Sequence, residues 1–485
     1  MTAFFWFLPT IVLALAVLSG RCSPPVASLL GLATAVPVAF ATAPIPFGSA
    51  ALASALARGA WIGATIAPYI LGGLLFWQLA SRPTAMAAES ARPVAVDRRA
   101  QRRLLFFACF LVGPFAESAT GFGVGMLGTI ALLRHLGIAP AHLMVFALLS
   151  QTFIPWGAMG SGTLLASAYA KMPASALAGA SLLPVASLMG VWLTLFWVTA
   201  RKAGVSATAT EHLSEVGWII ASLGTLGVAT ALVGPEIAML SAFGPLIIAR
   251  YLIDARPTAE AVRLATVRVW PYLALVGILT LTRGVPSLRD ALASFGAIAP
   301  YPDLPVWAPL FHAGSWLMAG ALGVALTRGH VAQLRQELRG AWKTARTPVV
   351  TVFVFAMLAE VLAAAGISAA IAAGLFANLG ALGVLAAPLM SIGLGVLTNS
   401  GSAGNSLFMS SQVAMAAQAN LSVPATAALQ HVAASSMSLF SPVRMAIAAS
   451  LAHGQGQERR VYSGLVPYAI ASTAILACLG AWAIL

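Results

Sequence analysis

Long apolar runs alternate with short polar segments along most of the chain. A helix needs about 20 apolar residues to cross a bilayer, so runs of this length predict membrane-spanning helices. Ten of the runs are uninterrupted or nearly so. These predicted spans are residues 4–20, 25–43, 60–80, 177–199, 216–232, 236–249, 269–282, 306–327, 347–366 and 463–484.

Four further apolar stretches are broken near the middle by Gly, Ser or Pro. Stretches 104–134 and 380–418 are broken at "AESATGFG" and "TNSGSAGNS", and we expect each to be a re-entrant hairpin. Stretches 140–170 and 426–452 are broken at "PWGAMGSG" and "SLFSPVR", and we expect each to be one discontinuous span. The predicted fold class is therefore an all-α polytopic membrane protein with about 12 transmembrane helices and two re-entrant hairpins.

The two halves of the chain contain the same parts in the same order. In each half, spans lead to a hairpin, then a broken span, then a plain final span. The interval from Glu117 to Gly157 is 40 residues, and that from Asn399 to Ser441 is 42. The hairpins are predicted to enter from opposite faces, which makes the halves inverted repeats, an arrangement that holds a small solute and its coupling ion at broken helices. We expect the first repeat at residues 1–200, a linker with two spans at 201–264 and the second repeat at 265–485.

Composition supports the membrane assignment and argues against a soluble domain, a disulfide framework and a metal site. Of the 485 residues, 60% are hydrophobic and only 8% are charged, and the mean hydropathy is +0.92. A soluble domain this apolar would have no polar surface. The first apolar stretch has no basic residue before it, so we expect it to remain as a first span. The three cysteines are scattered, which predicts neither a disulfide framework nor a metal site, and no cofactor is expected.

The net charge of +13 bears on membrane topology, because basic residues mark the cytoplasmic side of a membrane protein. If the N- and C-termini lie outside, 21 of the 26 basic residues, including six arginines in the 82–103 loop, fall on the cytoplasmic side. Four lie outside, namely Arg58, Lys171, Arg283 and Arg289. Positive charge concentrated in cytoplasmic loops is the usual signature of membrane orientation. The basic balance therefore predicts topology in a lipid bilayer and no nucleic-acid partner.

The segment "GPFAESATGFGVG" places a carboxylate, Glu117, within a break in an apolar stretch. Irregular backbone at membrane depth is tolerated where it is buried or lines a polar cavity, and its free amides or carbonyls can hold ions. An acid in such a place is a candidate for carrying a proton. Close packing of helices through small residues is the alternative interpretation of the Gly, Ala and Ser runs.

Few charged residues fall inside the predicted spans, and each has two interpretations. Glu117 and Glu360 are candidate proton-coupling groups, and either could instead have a structural hydrogen-bonding role. Arg444, after the "SP" break, is the candidate partner of a substrate carboxylate, although it could pair with Glu360 or reach the cytoplasmic surface. Glu236 lies at a helix start in "VGPE".

Small and polar residues at the breaks complete the predicted substrate site. They are Ser118, Thr120, Gly121, Gly157, Ser161, Asn399, Ser400, Ser402, Asn405 and Ser441. His431 and His312 are interpreted as helix-to-helix hydrogen-bonding groups in preference to ligands. The string "GVGMLG" fits the dinucleotide motif GxGxxG, but no strand precedes it, so that interpretation fails.

These segments resemble the L-lactate permease family of bacterial carboxylate transporters. "GPFAESATGFG" is similar to that family's "GAFLEGAAGFG", "IPWGAMG" to its "GAMG", and "LTNSGSAGNSLFMSSQ" to its "TGSDTSSNALFGSLQ". "FSPVRMAIAAS" lies where the family has "ISPQSIAVA", and "VGPEIAMLSA" resembles "LGPELPDILSS". The likeness runs from about residue 60 to the C-terminus, in the same order.

The resemblance implies uptake of lactate, glycolate or a similar 2-hydroxy monocarboxylate by proton symport in a bacterial inner membrane. It also implies a fold like that of the ion-transporter superfamily. The expected partners are a small organic anion and a proton, and a homodimer is a candidate assembly. Glu117 stands at the family's hairpin Glu. Two positions differ, because the family's Asp falls on Gly401 and the "SPQS" segment ends here in Arg444. A different small anion, or sodium coupling, is the alternative.

Two other function classes compete with a carrier. An intramembrane serine hydrolase would use Ser161 or Ser400 with His431, but no nucleophile motif with an interpretable base spacing supports it. A passive channel is disfavoured because paired broken helices with a titratable acid suit coupled transport. We therefore expect a transporter and not an enzyme.

Overall fold

The computed structural model describes residues 2–82, 97–121 and 123–484, and it confirms an all-helical fold. Across these residues the β-structure consists of a single isolated bridge between Ile298 and Trp307. Residues 83–96, most of the predicted cytoplasmic loop 82–103, lie outside the described ranges, as does Phe122 in the first hairpin.

The first half runs from two short helices to the long helix α10. Several of its helices begin with proline at one of the first two positions, where the missing N–H has no intrahelical partner to lose. Its helices are α1 (Thr2–Trp6), α2 (Leu8–Leu18), α3 (Pro24–Thr42), α4 (Ser49–Ala80), α5 (Arg98–Phe107), α6 (Gly113–Thr120), α7 (Val124–Leu133), α8 (Pro140–Leu149), α9 (Gly157–Ala170) and α10 (Ala174–Lys202).

The linker and the second half follow without a break in the described residues. Thr208 caps α11 in a capping box with Glu211, which satisfies free amides at that helix start. The helices are α11 (Ala209–Val233), α12 (Pro235–Ala255), α13 (Ala259–Gly284), α14 (Pro286–Ser294), α15 (Ala313–Thr327), α16 (Leu334–Ala364), α17 (Ile367–Leu379), α18 (Ala386–Thr398), α19 (Gly401–Gln418), α20 (Val423–Ser436), α21 (Pro442–Ala452) and α22 (Glu458–Trp482).

By length and apolarity, ten helices of the described ranges can cross a membrane, or twelve if each bent pair is one span. Two predicted spans are shorter than expected. The span 4–20 is divided at Phe7, just before Pro9 near the start of α2. The span 306–327 becomes helical only at Ala313, after a proline-rich irregular segment. Helices α14 and α17 have no counterpart among the predicted spans.

The four breaks lie where the sequence predicted them. The first hairpin turns at Gly121 and Gly123, both with positive φ, and the second turns at Asn399, a left-handed residue with φ 59°. The first broken span, α8 and α9, bends by 62°, and the second, α20 and α21, bends by 40°. Both halves therefore contain a hairpin followed by a broken helix, while the repeat boundaries at 200 and 264 remain a prediction.

Helix α4 packs closely against α16 and against the first hairpin through glycines. A Cβ on Gly59 would lie 2.4 Å from the Cα of Met357 in α16, so the two backbones touch. A Cβ on Gly73 would lie 2.5 Å from the carbonyl oxygen of Ala119 in the first hairpin. Small residues allow such close backbone approach between membrane helices. The first hairpin and α16 are thus both held against one long helix.

Candidate functional site

A cavity of about 330 Å³ lies where the two hairpins and the two broken helices meet. We call it the Arg444 cavity. All four broken elements contribute to its wall, and α4 and α16 contribute one further side through Ile70 and Thr351. The predicted site residues in the wall are Glu117, Gly121, Gly157, Ser161, Asn399, Ser400, Ser402, Asn405 and Arg444.

Four helices begin at this cavity. Their first turns are represented in the wall by Gly123 before α7, Gly157 of α9, Ser402 of α19 and Val443 of α21. The first amides of a helix have no partner within the helix, and the helix dipole gives this end a partial positive charge. Such ends favour anionic groups: at α7 that group is the carboxylate of Glu117, and the other three starts favour an anionic ligand.

The start of α9 has an unusual backbone. Ala158, Met159 and Gly160 all have positive φ, of 48°, 55° and 64°. Left-handed conformation costs roughly 1–2 kcal/mol for each non-glycine residue, so the surrounding structure must hold this turn in place. A Cβ on Gly121 would lie 2.7 Å from the Cβ of Ala158, which brings the hairpin turn against the strained turn. Strain of this kind beside a cavity is typical of a functional site.

Glu117 is buried, with 6% of its surface exposed, and closes the start of α7. Its carboxylate accepts hydrogen bonds from the backbone amides of Gly123 at 3.3 Å and Gly125 at 3.0 Å. The acid on one arm of the hairpin therefore bonds to the first amides of the other arm. A proton gained or lost on this carboxylate would directly affect the bonds that shape the hairpin.

Arg444 is also buried, with 8% exposed, and it connects the two halves. Its Nε donates to Oδ1 of Asn399 at 2.8 Å, and its Nη1 donates to Oε1 of Gln151 at 2.8 Å. A guanidinium has five N–H groups, so three are left without an acceptor among the described residues. Glu117 is close enough to interact with Arg444 electrostatically, although no ion pair within 4.0 Å joins them in the described chain.

Gln151 is a site residue that has no counterpart among the predicted ones. It lies in the break between α8 and α9, where its Nε2 donates to Oγ of Ser150 at 3.1 Å. A Cβ on Gly125 would lie 3.0 Å from Nε2 of Gln151 and 3.0 Å from Cβ of Glu117. Gln151 therefore lies between the acid and Arg444. The polar run Ser150, Gln151 and Thr152 in an otherwise apolar stretch is the signal that could have revealed it.

His431 lines the cavity and is fully buried. Its Nδ1 lies 3.0 Å from Nδ2 of Asn405, and its Nε2 lies 2.9 Å from Oγ1 of Thr163. The Thr163 hydroxyl also donates to the carbonyl of Pro155. Both ring nitrogens are used in joining helices, and neither bonds to Ser161 or Ser400 among the described residues. The arrangement lacks the contact between nucleophile and base of a serine hydrolase.

Comparison with known proteins agrees with the motifs. Residues 306–485 match the family model described as L-lactate permease. The L-lactate permeases of Salmonella typhi and Salmonella typhimurium are 24% identical to this chain over 503 residues, covering 92% of the chain and 88% of each relative. The resemblance to the L-lactate permease family is thereby confirmed. Among solved structures, the chain is similar to the Alcanivorax borkumensis YdaH transporter, at 14% identity and a TM-score of 0.40 over 95% of this chain and 98% of that one.

The family match points to a membrane transporter and away from an enzyme. It also allows the two departures from the L-lactate permease pattern to be placed in the structure. A Cβ on Gly401 would lie 2.8 Å from the Cα of Ser435, so a side chain here would collide with the backbone of α20. Arg444, the gained base, lies across the same cavity. The lost acid and the gained base therefore belong to one site.

Three of the residues predicted to bind substrate are absent from the described cavity wall. The hydroxyl of Ser118 donates to the carbonyl of Phe115 at 2.7 Å, and that of Thr120 donates to the carbonyl of Ala116 at 3.1 Å. Ser441 caps α21 by accepting from the amide of Val443 at 3.2 Å. Each hydroxyl thus satisfies backbone groups of its own segment, as Ser and Thr commonly do.

Glu360 lies in a separate ion-pair network. Its carboxylate accepts from Nε of Arg58 at 2.7 Å, and the same guanidinium pairs with Asp303 at 2.7 Å. Arg58 holds the pKa of Asp303 below its usual range through this hydrogen bond. The structure therefore pairs Glu360 with Arg58 and not with Arg444, and it places Glu360 outside the described wall of the Arg444 cavity.

Proposed function

We propose that this protein transports a short 2-hydroxy monocarboxylate, lactate or glycolate, by proton symport across the bacterial inner membrane. The observation that carries the proposal is the meeting of four helix starts and Arg444 at one cavity. Partial positive charge from helix ends and a guanidinium with free N–H groups are the standard partners of a carboxylate. The relatives named L-lactate permease supply the substrate class.

Charge balance supports the proton as the coupling ion. The cavity wall contains one arginine, Arg444, and one carboxylate, Glu117, and their charges cancel. A bound carboxylate would leave one net negative charge in a poorly solvated site, which is unfavourable. Protonation of Glu117 restores neutrality, so anion and proton are most stable when they bind together. This gives one proton for each monocarboxylate.

The paired hairpins and broken helices suit alternating access at an inverted-repeat interface. In this proposal Ser161, Asn399, Ser400, Ser402 and Asn405 orient the substrate through hydrogen bonds. We place the N- and C-termini on the periplasmic side because that orientation leaves most basic residues inside. A homodimer is the assembly we propose to test alongside transport.

The substitution pattern also supports a second candidate, a carrier of another small anion, with sodium as a possible coupling ion. Relative to the family pattern, the cavity has lost an acid at Gly401 and gained Arg444. A site that is more positive by two charges would hold a more strongly anionic substrate better.

Uptake into proteoliposomes tests the proposal. Labelled L-lactate and glycolate are offered with an inward proton gradient and no sodium. Accumulation above the external concentration that exceeds accumulation in protein-free liposomes and collapses with an uncoupler is the expected result. Absence of uptake by protein shown to be folded overturns the 2-hydroxy monocarboxylate assignment and directs the same assay to di- and tricarboxylates, with and without sodium.

A further inference from the structure

A second polar cavity, of about 150 Å³, lies outside the site described above. We call it the Arg283 cavity. It is enclosed by α4, α9, α12 and α13 together with the irregular segment before α15. Its polar wall residues are Thr65, Tyr69, Glu236, Arg283 and His312.

Arg283 is buried but incompletely paired. Only 4% of its surface is exposed. Its Nη1 donates to Oγ1 of Thr282 at 3.1 Å, and its Nη2 donates to the carbonyl of Phe311 at 2.9 Å. Its Nε is buried without a hydrogen-bond partner in the described chain. Nη1 and Nη2 each carry a second N–H with no acceptor among the described residues, so the guanidinium keeps donors for a ligand.

Glu236 and Tyr69 add a carboxylate and a hydroxyl to the wall of the same cavity. Among the described residues, neither the Glu236 carboxylate nor the Tyr69 hydroxyl forms a hydrogen bond, and no carboxylate lies within ion-pair distance of Arg283. Glu236 stands at the start of α12, and its Oε2 folds back so that a Cβ on Gly234 would lie 2.6 Å from it. Tyr69 interacts electrostatically with both Glu236 and Arg283. The carboxylate of Glu236, the guanidinium of Arg283 and the hydroxyl of Tyr69 thus line the same cavity.

The two cavities are adjacent on the same helices. On α4, the Arg444 cavity is lined by Ile70 and the Arg283 cavity by Tyr69. On α9, they are lined by Ser161 and Leu164, about one helical turn apart. The two cavities therefore share the same two helices while no described residue lines both.

We propose that the Arg283 cavity is a second binding site for the carboxylate substrate, and that Glu236 takes up a proton when this site fills. The inference rests on the proposed function for its ligand. The charge argument is the same as in the Arg444 cavity. The charges of Arg283 and Glu236 cancel each other. The negative charge of a bound carboxylate is therefore balanced only when Glu236 is protonated. The carboxylate would accept from the free N–H groups on Nη1 and Nη2 of Arg283, and the Tyr69 hydroxyl would donate to it.

The other titratable groups that face Glu236 do not supply this proton. Nε2 of His312 donates to the carbonyl of Thr65 at 2.8 Å, and its Nδ1 accepts from the amide of Gly314 at 3.1 Å. A proton on Nδ1 would break the second bond, which caps α15. Neither the guanidinium of Arg283 nor the phenol of Tyr69 can take up a further proton. Glu236 is the group whose protonation costs no existing hydrogen bond.

Equilibrium binding of labelled L-lactate to purified full-length protein tests the proposal. We expect two lactates per chain in the wild type. In each of Arg283→Gln and Arg444→Gln, one affinity should be unchanged and the other weakened roughly 10- to 100-fold. In the Arg444→Gln background, the unchanged affinity is that of the Arg283 cavity. There, binding should weaken by up to about tenfold per pH unit as pH rises, the slope for one coupled proton. Adding Glu236→Gln should remove this slope while binding persists at high pH.

Each alternative result has a distinct meaning. One lactate per chain, lost in Arg444→Gln and unchanged in Arg283→Gln, overturns the second site and leaves the proposed function standing. No lactate at either site overturns both. A pH slope that survives Glu236→Gln overturns the role of Glu236. If Arg283→Gln does not fold, Tyr69→Phe replaces it. We then expect lactate to bind several-fold more weakly at the Arg283 cavity. Two affinities equal to those of the wild type would contradict the proposal.

Discussion

Arg444 is held by acceptors from both halves of the chain. Asn399 comes from the second hairpin and Gln151 from the break of the first broken span. The guanidinium is thereby oriented in a cavity that Asn399 also lines. At the residue scale, the sequence singled out Arg444 because it is the one base within a predicted span, but neither partner follows from its position in the chain.

Arg444→Gln should weaken substrate binding more than it changes the maximal rate. Charge-assisted hydrogen bonds contribute about 1.5–3 kcal/mol, so KM for uptake should rise roughly 10- to 100-fold. Arg134→Gln is the matched control, because Arg134 is exposed and donates to the carbonyl of Leu451 near the other end of α21. Equal KM values in wild type and Arg444→Gln would remove Arg444 from the binding site.

Glu117→Gln should uncouple transport from the proton gradient. Glutamine keeps one acceptor for the amides of Gly123 and Gly125 but does not titrate at physiological pH. Proton-driven accumulation of lactate should therefore be lost, while exchange of labelled for unlabelled lactate continues. Glu360→Gln, in the Arg58 network, is the comparison variant and should still accumulate lactate. Proton-driven accumulation by Glu117→Gln at the wild-type level would contradict the coupling role.

At the scale of elements, the breaks were predictable and their contacts were not. Gly, Pro and Ser within apolar stretches indicated the hairpins and broken helices, because they interrupt helical hydrogen bonding or permit positive φ. The tight contact between α4 and α16 involves residues almost 300 positions apart, Gly59 and Met357. Sequence alone does not say which of the many small residues faces another backbone.

Gly59→Ala should destabilise the protein by about 1–3 kcal/mol, because the added methyl group would overlap the backbone of α16. Gly190→Ala in α10 is the control, since a Cβ there meets no heavy atom within 4 Å. We expect a lower melting temperature for Gly59→Ala and an unchanged or higher one for Gly190→Ala, measured in detergent by loss of monodisperse protein. Similar melting temperatures for both variants would argue against the close crossing.

At the scale of the whole molecule, the unequal distribution of basic residues predicts orientation. Arginine and lysine in short loops set the topology of a polytopic protein during insertion. The Arg58, Asp303 and Glu360 network joins α4, α16 and the irregular segment before α15 on the predicted outer side. Orientation is a property of the chain in a membrane, and labelling from each side measures it.

Single cysteines in a cysteine-free background test this orientation. Ser294→Cys, at the exposed end of α14, should react with an impermeant thiol reagent added outside the cell. Ser81→Cys, exposed at the end of α4, should react only when the membrane is opened or inverted. The opposite pattern would reverse the predicted topology and the periplasmic position of the termini.

The sequence by itself determined the all-helical membrane class, the four breaks and the choice of Glu117 and Arg444, because hydrophobic length, helix-breaking residues and buried charge are local properties of the chain. Only the tertiary structure decided that Glu360 pairs with Arg58 and that Ser118 and Thr120 bond within their own helix. It also decided that Gln151 accepts from Arg444 and that His431 lines the cavity. Those outcomes depend on which helix faces are brought together by packing. That packing is set by backbone contacts between residues far apart in the chain, which no local pattern records.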